Sequence, residues 1–533
     1  ATLEDGLSAL ESADLIRRRD VDADLEYLFK HALTQEVAYS GLLRSKRHEL
    51  HGRVAQAMEK LLGDRFREYA ESIAYHFQNS DTPERAVPYL VIAGKKAIER
   101  YALPEAETHY RAAYEILLAQ PESAQRDHDL LEVIVEWSLL HYYTADIAAM
   151  NRLMKEHADL LERVPDPELR GMWLMWHCFV AYTTLNFEDA VAFADRAVAI
   201  GEESSSARVV AYALTQKVWA LLQIGRNTEG VAASERALSL LGRLSDERDS
   251  RYIRLKAGCG ASITQLLVGD LIKSRALAKE LLDFAGASGS RRALAAAHYA
   301  IGVIHGSTGD RGRAGAEFAL ARDAAPDPVY KALAEVNLSA HLANSGQHEA
   351  ARDMIGPSLS FAEAQGISLF ALLLRGNQGL LLLAEGELAR GMDQIEEVHR
   401  EFEALGSTGF ETQIGFGIAT IYARIATGEG MSSGGTIGKI GTIVRNPGFA
   451  LGRARRASQT ARDSLAALSE NLPPDLEGHR FGIEFEFAKL LIKRKERDEA
   501  RKHIEKAIAF LQPLGDTVGM RNAQALLATL DQK

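Results

Sequence analysis

Small residues recur in this sequence at a nearly constant interval, and that interval leaves few folds open. The turn-like segments GDRGRA, GQHEAA and GELARG each place a small residue five positions after their first glycine. The same register runs through Ala106, Ala148, Ala190, Gly230, Ser274, Ala314, Ala351, Gly391 and Ala500. Successive steps are 42, 42, 40, 44, 40, 37 and 40 residues, then one of 109. Alanine returns seven residues later at Ala113, Ala197, Ala237, Ala321 and Ala507. Another small residue stands twelve positions earlier, at Gly94, Cys178, Ser262, Gly302, Ser339, Gly379 and Ala488. Two antiparallel helices approach to ~8–10 Å only where the facing side chains are small. A small residue at a fixed offset on each helix therefore marks a repeated helical hairpin, and stacked hairpins form an α-solenoid. The register is weakest near positions 148 and 230.

Composition agrees with long, uninterrupted helices. Only 13 of 533 residues are proline and aromatics make up 7%, too few breakers and too few strand formers for a large β-fold. Two cysteines, Cys178 and Cys259, support neither a disulfide framework nor a cysteine zinc site, which points to a reducing, cytoplasmic home. No apolar run is long enough to cross a membrane. A net charge of −11 argues against whole-surface nucleic-acid binding.

The small-residue pattern resembles the tetratricopeptide (TPR) family. Its best copy is HYAIGVIHGSTGDRGRAGAEFALARDAAP, where Gly302, Gly309, Ala314, Phe318, Ala321 and Pro326 match. The resemblance implies an all-α, right-handed superhelix of about ten TPR-like helix pairs, from residue 63 to 426 and again from 449 to 533, closed by a capping helix. Residues 427–448, TGEGMSSGGTIGKIGTIVRNPG, read as a glycine-rich insertion loop that explains the long step.

Residues 1–62 differ in character. Residues 2–17 read as an amphipathic helix ending in RRRD, Tyr27–Lys30 as a short strand, and further helices start at Ala32 and near Arg44. The order suits a winged-helix-like end of an upstream module. FKHALTQEVAY, LLRSKRHELHGRVAQAME and IVRNPGFAL resemble the signal-transduction ATPases with numerous domains (the STAND class). More narrowly, they resemble large bacterial proteins joining a class III adenylate/guanylate cyclase domain, an ATPase and a TPR tail. The resemblance implies that the chain, which opens without methionine, is the regulatory end of a longer ATP-binding protein. It also assigns His31, which follows Leu28-Phe29-Lys30 and precedes Ala32, to the histidine that touches the β-phosphate of bound ADP. An imidazole at a helix N-terminus suits such a contact.

Catalytic patterns are missing from the sequence. A phosphate-binding loop needs GxxxxGK[ST], but in GGTIGKIGT Ser433 replaces the first glycine and Ile440 follows Lys439. There is no HExxH, and His141, His157 and His177 are too widely spaced for one metal face. The chain is expected to catalyse nothing and to carry no metal or cofactor. Two binding features remain. Residues 430–462 contain six bases and no acid: Lys439, Arg445, Arg453, Arg455, Arg456 and Arg462. They read first as a solvated helix face with a loop packed on the repeats, and second as a patch for an anionic surface. The other feature is the concave wall of first helices, where the aromatic-rich GMWLMWHCFVAYTT gives way to Gln223, Tyr299, Asn337, Asn344 and Asn377. Such amides can bind the backbone of an extended peptide. The expected function is a sensor and protein-interaction arm whose partners are a protein or peptide ligand and the upstream ATPase/cyclase domains. Alternatives are the sensor region of a STAND-class transcription activator and a free-standing TPR scaffold.

Overall fold

The computed structural model describes residues 2–21, 24–427, 446, 449 and 452–531. The chain divides into two compact units, Ala1–Leu140 and His141–Lys533.

The first unit opens with α1 (Leu3–Ser12), started by a capping box in which the Thr2 side chain and Asp5 exchange hydrogen bonds with each other's backbone. The helix stops before Asp14, which has φ of 61°, and a hairpin of β1 (Ile16–Val21) and β2 (Asp24–Phe29) follows, pairing Ile16 with Phe29 and Val21 with Asp24. The RRRD segment therefore lies in a strand and not at the end of a helix, and the second strand begins three residues earlier than Tyr27. Helices α2 (Ala32–Ser40) and α3 (Arg44–Leu62) start where the sequence places them. Next come α4 (Ala70–Gln78), α5 (Val87–Glu99), α6 (Leu103–Leu118) and α7 (Ala124–Thr144), the last of which runs across the unit boundary.

The second unit is an all-α solenoid. After α8 (Ile147–Glu156) and the short α9 (Leu160–Arg163), hairpins succeed one another. They are α10–α11 (Pro167–Thr183, Phe187–Glu203), α12–α13 (Ala207–Gln223, Asn227–Ser239), α14–α15 (Glu247–Leu267, Leu271–Ser288) and α16–α17 (Arg291–Ser307, Arg311–Ala324). Then follow α18–α19 (Pro328–Asn344, His348–Ala364), α20–α21 (Ser368–Ala384, Leu388–Ala404), α22–α23 (Thr408–Thr427, Arg453–Asn471) and α24–α25 (Arg480–Lys493, Arg497–Leu511). A final helix, α26 (Val518–Asp531), covers the last pair. Residues 428–445 of the glycine-rich insertion lie outside the described residues.

Eight of the nine small positions sit at the fourth residue of a second helix, and Ala190, Ser274, Ala351 and Ala500 are fully buried. A Cβ on Gly302 would stand 2.7 Å from the Phe318 ring, so this glycine makes room for an aromatic one turn beyond Ala314. Ala314 itself faces Gly306, at 3.8 Å from the Cβ position there. Where both positions are serine they clip the helices together: Ser262 Oγ donates to the Ser274 carbonyl at 3.0 Å, and Ser274 Oγ returns the bond at 2.8 Å. The weak copy near 148 has a different task. Ala148 is only partly buried, and its N–H donates to the Gln365 carbonyl at 3.0 Å.

That bond is one of several joining successive turns of the superhelix. Ser407 and Thr408 donate to the carbonyls of Gln223 and Ile224. Asn227 Nδ2 donates to the Asp475 carbonyl at 2.7 Å, the Thr228 N–H donates to Asp475 Oδ1 at 2.9 Å, and Arg311 pairs with Glu486 at 3.2 Å. The joined residues are 175 to 248 positions apart, which at the repeat interval makes a tight superhelix. Gly409 permits one such approach, since a Cβ there would lie 2.9 Å from the Leu222 carbonyl oxygen.

Candidate functional site

Because the superhelix is tight, the first helices of successive pairs enclose a cavity of about 390 Å³. Tyr142 at the end of α7, Phe179 and Tyr182 on α10, and Trp219 on α12 form one wall. Val303 on α16, Leu333 on α18, and Phe370 and Leu373 on α20 form another, and Phe410, Ile414 and Ile421 of α22 complete it. The lining is mostly apolar with a few amides, the composition of a small-molecule or peptide site.

Four of the five groove residues expected from the sequence, Gln223, Tyr299, Asn337 and Asn377, line this cavity. Asn344 does not: it is exposed, its Nδ2 donates to the Ala340 carbonyl at 2.9 Å, and it lies one residue before the helix turn. Three of the lining amides already donate, Asn337 through Nδ2 to the Leu333 carbonyl at 3.4 Å. Gln223 Nε2 donates to the Trp219 carbonyl at 2.9 Å, and Asn377 Nδ2 donates to the Val336 carbonyl at 2.7 Å and to Ser339 Oγ at 3.0 Å. The last two bonds join neighbouring first helices.

Beneath the cavity lies a polar network that the sequence reading missed. Asp249 accepts from Tyr212 Oη at 2.7 Å and from Arg208 Nε at 2.8 Å. Gln216 Nε2 donates to Tyr252 Oη at 2.7 Å, while its Oε1 accepts from Lys256 Nζ at 2.8 Å. Lys256 is 3% exposed and lines the cavity. Its Nζ lies 4.7 Å from the Tyr142 ring centre and 4.9 Å from that of Phe179. Burial, with Arg292 adding its positive charge, holds the Lys256 ammonium well below the ordinary lysine range. Burial likewise pushes the Tyr142 phenol up to about 12 and holds the imidazole of His479, on the cavity wall, at about 4. Arg292 stacks on Tyr143, 4.1 Å from its ring centre. It also stands 2.8 Å from Asp327 Oδ2, close enough for an ion pair although the angle is too bent for a hydrogen bond. The signal in the sequence was a single lysine inside the small and apolar run LKAGCGASI, where no solvated face is available.

The remaining candidates lie elsewhere. His31 is the exposed N-cap residue of α2 and makes no side-chain cap bond. In the basic segment, Lys439 and Arg445 lie outside the described residues. Arg453 pairs with Asp393 at 2.7 Å and Glu396 at 3.2 Å, and Arg462 pairs with Glu496 and Glu499 at 3.1 and 3.0 Å. Only Arg455 and Arg456 of the described four are exposed, so half of that group is used in ties between helices. Among the described residues no group of three or more His, Cys, Asp and Glu side chains could hold a metal ion, and no helix is long and apolar enough to cross a membrane.

No family model matches the chain. An uncharacterized protein of Rhizobium meliloti (strain 1021) is 24% identical over 265 residues, which are 48% of this chain and 25% of that protein. The match thus spans about a quarter of the relative's length. Among solved structures, the chain is similar to a Rap protein complexed with competence and sporulation factor (TM-score 0.46, 14% identity, 84% of this chain and 100% of that one). It is similar to NprR in complex with its cognate peptide NprX (TM-score 0.45, 11% identity, 71% and 99% covered). A third is the STAND protein with a tetratricopeptide repeat sensor from Pyrococcus horikoshii (TM-score 0.40, 13% identity, 75% and 58% covered).

Proposed function

We propose that this chain is the non-catalytic sensor and protein-interaction arm of a larger signalling protein, and that its second unit binds a small apolar ligand or short peptide. One observation carries the reading: a largely apolar cavity of about 390 Å³ sits where the first helices converge, inside contacts that join successive superhelical turns. A ligand there changes the free energy of those contacts, and it shifts a two-state equilibrium by its differential affinity for the two arrangements.

The first unit supports the larger-protein part of the proposal. Helices α1 and α2 bury no residue, and Leu3, Leu33, Val37, Leu43 and Leu61 are 63 to 85% exposed. Apolar faces of this kind are covered by a partner, and a preceding module of the same polypeptide is the natural one. In this picture residues 1–62 are the winged-helix-like end of an ATPase module joined to a class III cyclase. The exposed His31 would reach the bound nucleotide, and the repeats, 63–426 and 449–533, would act as its regulator in the cytoplasm.

The test is saturable binding of Nile red, a neutral apolar dye, to the purified chain. Binding at one site per chain is expected, with loss in Ala340→Trp, which fills the cavity from α18. Absence of saturable binding would reject the sensor reading.

A further inference from the structure

Lys256 is a buried lysine on the cavity wall. Two neighbouring cations have acids: the half-buried Arg208 stands against Asp249 at 2.8 Å and the buried Arg292 against Asp327 at 2.8 Å. Lys256 has neutral acceptors instead, Gln216 Oε1 at 2.8 Å and Tyr182 Oη at 3.3 Å. An ammonium carries three donors, so one remains after these two bonds. The aromatic rings of Tyr142, Phe179, Tyr182 and Tyr252 lie 4.7 to 5.9 Å from Nζ. Such faces ease the desolvation of a cation but supply no opposite charge. Burial without a counter-ion favours the neutral amine, and an anion delivered to Nζ inside a low-dielectric wall restores the ammonium and is strongly held by it.

We infer that Lys256 is the carboxylate receiver of the cavity, and that the ligand is a small apolar molecule bearing one carboxylate. The inference rests on the sensor reading. The same chemistry comes from two sources, a free aliphatic or aromatic acid and the C-terminus of a short apolar peptide. In either case the carboxylate meets Nζ while the apolar body lies against Val303, Leu333 and Leu373, which line the same space.

The experiment measures displacement of Nile red from the purified chain by octanoate and by octanol, and by Leu-Leu-Phe as free acid and as amide. At least one acid should bind about tenfold more tightly than its neutral counterpart, a factor worth ~1.4 kcal/mol. Preference for octanoate identifies a free acid, and preference for the unamidated peptide identifies a C-terminus. Lys256→Met, which removes the charge at similar volume, should abolish the preference while neutral ligands still bind. Lys256→Arg should retain it, and a thermal melt of each variant reports folding. Equal binding of acids and neutral analogues by the parent chain, or a preference that survives Lys256→Met, overturns the inference and leaves the sensor reading intact. Failure of every probe, octanol and Nile red included, overturns the sensor reading itself.

Discussion

At the scale of single residues, the small positions set how closely paired helices approach. Ala314 faces Gly306 and lies one turn from the Gly302–Phe318 contact, so Ala314→Leu forces three heavy atoms into the closest part of the α16–α17 interface. Overpacking of this kind costs ~1–3 kcal/mol, whereas Ala316, exposed on the same helix, should accept leucine within about 0.5 kcal/mol. Urea denaturation of the two variants separates them; equal loss would mean that Ala314 is not at the contact. A second residue-scale device is the pair His51–His76, whose Nδ1 atoms lie 2.9 Å apart while His51 Nε2 meets Tyr39 Oη at 2.9 Å. One Nδ1 must donate and the other accept, so the pair cannot hold both imidazolium charges. Burial first, and neighbouring positive groups second, hold both imidazoles below the ordinary value of 6.5. The unfolded chain therefore binds protons that the folded pair refuses, and stability is complete above about pH 6.5 and lost as pH falls below it. Urea midpoints followed from pH 8 to 5 should fall, and His76→Gln should flatten that fall.

Elements show what a sequence reveals and what it hides. The nine small positions were legible because packing at fixed offsets imposes a period, and eight of them lie in second helices at the same place. Ala148 departs because it serves a contact with Gln365, some two hundred positions away, which no local pattern records. The first strand of the hairpin at 16–29 was hidden because three consecutive arginines mask strand alternation, and the end of α1 depends on the positive φ of Asp14. Four groove residues were legible as polar groups on first helices. Lys256 was missed, since a lysine in a helix reads as solvated unless the small and apolar run around it is weighed. Helix α2 offers a test at this scale. Its Leu33 and Val37 are 71% and 63% exposed, so Leu33→Glu and Val37→Glu should change the stability of this chain by no more than about 0.5 kcal/mol. A larger drop in thermal midpoint would mean that α2 packs on its own unit and needs no covering partner.

For the solenoid as a whole, the contacts between turns decide how it unfolds. A solenoid whose repeats touch only their neighbours behaves as a one-dimensional chain, in which stability is a sum of local terms and ends melt separately. Here Asp475 ties α13 to the segment before α24 through Asn227 and Thr228, and Ser407 ties α12 to the start of α22. Each tie makes distant repeats share one transition. The double variant Ser407→Ala, Asp475→Ala removes side-chain bonds at two of these points without touching a hairpin interface. Losing hydrogen bonds of this sort costs ~0.5–1.5 kcal/mol apiece, but the larger effect should be on cooperativity. Urea unfolding followed by circular dichroism should broaden, with a lower m value, because the two turns would no longer melt together. Ala314→Leu, which injures one hairpin and leaves the ties in place, should instead move the midpoint with a smaller change in slope. If the double variant shifts the midpoint and leaves the slope unchanged, the turns unfold independently already, and ligand in the cavity would have no route to the rest of the superhelix through them.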